Sequence, residues 1–105
     1  MSLFVMTRQR YEILCALRTE AHTATELQAA LGIPHYRTAA AMVIALRNAK
    51  LIEFRGFRHT HGAPGPRPVQ YILTQLGEAA IQATRVQISV QDRAFVDLEK
   101  LEVAA

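Results

Sequence analysis

Six cationic side chains, Arg37, Arg47, Lys50, Arg55, Arg58 and Arg67, fall between residues 35 and 70, where Glu53 is the sole acid. That stretch is strongly positive although the whole chain carries only +3, because residues 1–34 balance and residues 71–105 are net acidic. A guanidinium is a planar fork that matches two phosphate oxygens at once. Such charge gathered on one stretch suits a polyanionic partner. His59 and His61 stand two apart and share a face if the chain there is extended. Two histidines do not fill a zinc shell, and Cys15, His22 or His35 would complete one only through packing, so no metal or cofactor is assigned. Cys15 has no second cysteine to pair with; it fits a small core position and a reducing compartment. The chain has no glycine-rich phosphate loop, no GxSxG and no HExxH, so nothing points to an enzyme.

These residues need elements to hold them. A chain of 105 residues, half of them hydrophobic, suits one domain with one core. No apolar run nears the roughly 20 residues of a membrane span, and the N-terminus lacks a leader pattern. The sequence therefore predicts a cytoplasmic protein with no membrane partner. The stretch Thr23–Asn48, TATELQAALGIPHYRTAAAMVIALRN, is the most structured in pattern. Thr23 and Glu26 form a capping box, and Leu27 and Leu31 share a face. Gly32 supplies a left-handed stop, and Pro34 can open a new helix but not continue the old one. From His35 to Asn48 nothing breaks a helix. Two helices across so short a turn make a helix-turn-helix.

In the second of these helices, Ala39, Met42 and Leu46 recur at core spacing. Tyr36, Arg37, Ala40, Ala41, Ile44 and Arg47 then face outward or sideways. The apolar run AAAMVIAL leaves Ile44 or Val43 exposed, which suits a protein partner or a core that wraps further round.

Before the motif, MSLFVM is short and apolar, an arm that packs against a partner chain or frays. Thr7 caps a helix from Arg8 to about Thr19, with Tyr11, Ile13, Leu14, Ala16 and Leu17 on its core face and Arg10 and Arg18 outside it. Residues 20–22 form a loop, with His22 a partly buried spacer. After the motif, Ile52 and Phe54 alternate with Glu53 and Arg55, the period of a strand, and Gly56 marks a bulge. HGAPGPRP, residues 61–68, is a loop. Val69–Leu73 resumes the strand and closes a β-hairpin. Thr74 caps a helix to about Arg85, with Leu76, Ala80 and Ile81 inward and Gly77 close to another backbone. Residues 86–90 suit either a helix or an extended link. Ser89 and Asp92 have capping-box spacing and open a last helix to about Glu102, with Phe95, Leu98 and Leu101 as its stripe. Alternatively Ile81, Ile88 and Phe95, seven apart, lie on one long helix.

Three segments resemble a winged helix-turn-helix domain. TELQAALGI resembles the positioning helix, ALRNAKLIEF the end of the recognition helix entering the first wing strand, and YILTQLGEAAI the second wing strand turning into the next helix. The likeness is to MarR-like and PadR-like regulators and covers about residues 8–84. It departs at Lys50, where a glycine is common, and in the apolar recognition helix. The resemblance implies a mainly α fold with a small β-hairpin (α+β): a three-helix core, a wing and a C-terminal helix. It implies a domain over residues 7–85; the helical extension over 86–105 offers apolar surface beyond what a small core requires, which suits dimerisation.

The function it implies is sequence-specific binding of double-stranded DNA by a transcriptional regulator acting as a homodimer. His35, Tyr36, Arg37 and Thr38 then enter the major groove. Arg37 pairs with a guanine edge or a phosphate, Tyr36 with a phosphate or a thymine methyl, and Thr38 with a phosphate. Arg47, Arg55, Arg58, His59, His61 and Arg67 hold the flanking backbone or minor groove. A small-molecule effector is left open. The competing function is a winged-helix module for protein assembly: the apolar recognition helix and tail favour it, and the positive segment opposes it.

Overall fold

The computed structural model describes residues 3–57 and 68–101. Its elements run β1 (Leu3–Thr7), α1 (Arg8–Ala16), β2 (His22–Thr23), α2 (Ala24–Leu31), α3 (Tyr36–Asn48), β3 (Ile52–Phe57), β4 (Val69–Leu73), α4 (Gln75–Gln91) and β5 (Arg93–Asp97), then a 3-10 turn at Leu98–Lys100. This is a winged helix-turn-helix: helices α1, α2 and α3 pack together, and β3 and β4 form the antiparallel wing. Met6, Ile13, Leu14, Leu27, Val43, Leu46, Leu51 and Ile81 are among the side chains that fill the core.

The local signals of the central motif act as their chemistry dictates. The Glu26 amide donates to Thr23 Oγ1 at 3.1 Å, and the Thr23 amide donates to Glu26 Oε1 at 2.8 Å. Gly32 takes φ 65°, where an L side chain would crowd the backbone. Ile33 is buried behind that stop, its amide bonded to the Gln28 carbonyl at 3.0 Å. The chain bends by 116° between α2 and α3. No single described helix is long and apolar enough to cross a membrane.

The wing is anchored at its base. Lys50 has φ 65°, so the position where a glycine is common does adopt the left-handed conformation. The Thr74 amide donates to the Leu51 carbonyl at 3.1 Å, and Thr74 Oγ1 donates to the Lys50 carbonyl at 2.7 Å. Gly77 lies against the same turn: a Cβ there would stand 2.2 Å from the Leu51 oxygen. Register slips between Phe54 and Gly56, leaving Arg55 as the extra residue of a bulge.

Four expectations fail, each through a partner distant in sequence. Residues 3–7 are not a frayed arm; they are β1, paired antiparallel with β5 of the same chain, Met6 opposite Ala94. α1 ends at Ala16, not near Thr19, and the chain turns so that His22–Thr23 pairs with β4 as a third strand of the wing sheet. Val43, which the apolar run left as a candidate for exposure, is buried with Ala39 and Leu46, and Met42 packs half-buried against the core.

The fourth concerns the tail. Residues 86–91 continue α4, but no further α-helix follows among the described residues. Asp92 has φ 60° and ends α4, Ser89 Oγ donates back to the Val86 carbonyl at 2.7 Å, and residues 93–97 are a strand. Arg8 closes that end. It forms an ion pair with Asp92 and donates through Nη2 to the Ile88 carbonyl at 2.8 Å, a cation at the negative pole of the helix. In β5, Ala94 and Val96 point inward and Phe95 outward, so Phe95 shares no helical stripe with Ile81 and Ile88.

Candidate nucleic-acid interface

α3 presents one long face to solvent. Its buried positions are Ala39, Val43 and Leu46. By helical spacing the opposite line is Arg37, Ala41, Ile44 and Asn48, and all four are exposed. His35 caps the helix through its backbone position alone, with no side-chain hydrogen bond. His35, Tyr36, Arg37 and Thr38 are all exposed at this end, where unpaired amides and the helix dipole favour an anion. Arg47 lies at the other end, about 16 Å along the axis at the α-helical rise.

The structure adds a cation that helical amphipathicity alone leaves as a surface residue. Arg10, on α1, lines one cleft of about 330 Å³ with Arg37, Thr38, Ala41 and Met42. Its guanidinium is fixed there. Nη1 donates to the Val5 carbonyl at 2.7 Å, and the group stands 5.1 Å over the Phe4 ring, a cation–π geometry. Among the described residues no acidic side chain lines this cleft. The sequence signal for Arg10 lay in the apolar arm before it, whose strand pairing holds Phe4 and Val5 beside it.

A second cleft, of about 350 Å³, lies between the wing and the helix-turn-helix. Thr23, Thr25, Tyr36, Pro68, Val69 and Tyr71 line it. The residues that lead out of the hairpin loop therefore stand beside the N-terminal end of α3. Arg47 and Lys50 share a third cleft with Glu53 and Phe54. Arg55 does not join the α3 residues. It lines a separate cleft with Arg18, Glu20, Ile72 and Glu78, where Arg18 and Glu78 pair at 2.7 Å. Arg58, His59, His61 and Arg67 lie outside the described residues. Among the described residues no cluster of three or more His, Cys, Asp or Glu could hold a metal ion. Cys15 is partly buried against the core. His22 sits 3.6 Å from Glu20 and 3.9 Å from Glu26, mostly covered, as a spacer would be.

Two solved structures share this architecture. A PadR family transcription regulator from Clostridium difficile R20291 superposes with a TM-score of 0.62 at 14% identity, covering 77% of this chain and 86% of the other. The reduced form of the transcriptional regulator YodB from B. subtilis gives a TM-score of 0.57 at 20% identity, covering 76% and 72%. At such identities the likeness is one of fold. No family model and no curated protein matches the sequence.

Proposed function

We propose that this protein is a transcriptional regulator that binds double-stranded DNA as a homodimer, with α3 in the major groove. The observation that carries the proposal is the cleft that Arg10 and Arg37 both line, with no acid among its described residues, beside the exposed N-terminal end of α3. Two guanidinium groups flanking one groove suit a backbone phosphate, with Thr38 as a neutral donor. Arg47 and Lys50 extend the positive surface to the far end of the helix, and Tyr36 lies between α3 and the wing. Arg58, His59, His61 and Arg67, by their place in the sequence between the wing strands, then serve flanking phosphates or the minor groove. Arg55 has a lesser part, because its cleft contains Glu20 and Glu78. The winged-helix fold shared with two transcription regulators supports the same function, and the likeness of residues 71–81 to MarR-like proteins agrees with it.

Salt-titrated binding to duplex DNA tests the proposal. Affinity should fall steeply between about 50 and 200 mM salt, with a logarithmic slope near −0.9 for each phosphate engaged. A salt-independent affinity, or none, overturns it.

One observation favours the competing function, a module for protein assembly. Phe54 and Phe57 stand exposed on β3, their rings 5.6 Å apart edge to face. Replacing both with serine without loss of DNA affinity, while a co-purifying protein is released, would support that second use.

A further inference from the structure

The outward stripe of α3 is basic at one end and apolar in its middle. Ile44 is 55% exposed, although the core-facing side of the same helix is already supplied by Ala39, Val43 and Leu46. Ala41 precedes it on the stripe, so the helix has little bulk there to hold it away from a surface. An isoleucine side chain neither donates nor accepts a hydrogen bond. In the DNA major groove one base edge offers an apolar group, the C5-methyl of thymine.

We infer that Ile44 reads a thymine methyl in the major groove, with Ala41 permitting the close approach. This contact presupposes the duplex binding proposed above. Charge complementarity selects DNA over an apolar protein patch as the occupant. α3 carries no acidic residue, Arg37 and Arg47 stand on it on either side of Ile44, and Arg10 flanks the stripe. An apolar partner surface would desolvate those guanidinium groups without pairing them.

The test removes only the methyl. The full chain selects duplexes from a randomised pool. The tightest binder is resynthesised with deoxyuridine for thymidine, one position at a time. Phosphates, minor groove and hydrogen-bonding edges stay as they were. One or two positions in each half-site should weaken binding about fourfold, the worth of one buried methyl. Ile44→Ala should bind the two duplexes equally. Its circular dichroism and melting temperature should match the parent, because the side chain is exposed. Equal binding of every deoxyuridine duplex by the parent chain overturns the methyl contact and leaves DNA binding intact. Persistent methyl sensitivity in Ile44→Ala overturns the role of Ile44. No salt-dependent binding to any selected duplex overturns both proposals.

Discussion

Arg10 shows how a single side chain acquires a role from what holds it. A free arginine on a helix surface samples many rotamers, and ordering it costs about 2 kcal/mol. Here the Val5 carbonyl and the Phe4 ring hold the guanidinium beside Arg37 before any ligand arrives. Arg10→Ala should therefore weaken binding to all duplexes alike and flatten the logarithmic salt slope by about 1. Arg10→Lys keeps the charge but not the planar fork, and should recover only part of the affinity. The same alanine change should cost about 1–2 kcal/mol of stability in urea unfolding, from the lost cation–π and hydrogen-bond contacts. An affinity unchanged in Arg10→Ala would remove this residue from the interface.

The turn into the wing and the start of α4 behave as one element. Lys50 is held left-handed at φ 65°, a conformation costing an L residue about 1–2 kcal/mol. Lys50→Gly should raise the unfolding free energy by about 1 kcal/mol, less what glycine adds to the freedom of the unfolded chain. Gly77→Ala should do the opposite. Its methyl would overlap the Leu51 oxygen and the Leu73 side chain, and overpacking of that kind costs about 1–3 kcal/mol. Both values can be read from denaturant midpoints at constant m. A stable Gly77→Ala variant would mean that α4 can shift away from the turn. The caps at Thr7, Thr23 and Thr74 and the stop at Gly32 were legible beforehand, because each is decided by residues within three or four positions. The rotation of α3 was not. Met42 and Val43 both fit a helical period with Ala39 and Leu46, and packing on α1 and α2 chose Val43.

For the molecule as a whole, apolar surface is left over after the core is filled. Val86 and Val90 are 74% and 76% exposed on α4, and Ala79 and Ala83 continue their line toward the helix N-terminus. Leu3 and Phe95 are exposed on the outer side of the β1–β5 pair, where Phe95 opposes Val5. A two-fold contact through these faces would supply the homodimer proposed above. Its reading helices would sit about 34 Å apart or a multiple of that. The double variant Val86→Glu, Val90→Glu should sediment as a monomer with its fold unchanged and bind DNA more weakly. A parent chain that is itself monomeric at micromolar concentration would dispose of the dimer.

The sequence alone determined the first three helices and the start of the fourth, the helix-turn-helix, the two hairpin strands and the concentration of positive charge after residue 35. Those features depend on neighbours along the chain, where capping, backbone preference and periodicity act directly. The tertiary structure decided the partners. Residues 93–97 fit a helix by their spacing, and only β1 lying beside them makes them a strand; the pairing of β1 with β5 could not be read from either segment by itself. That pairing anchors the segment that fixes Arg10 near Arg37. Cations far apart in sequence form one surface only when distant strands close on each other, and local propensity carries no information about that closure.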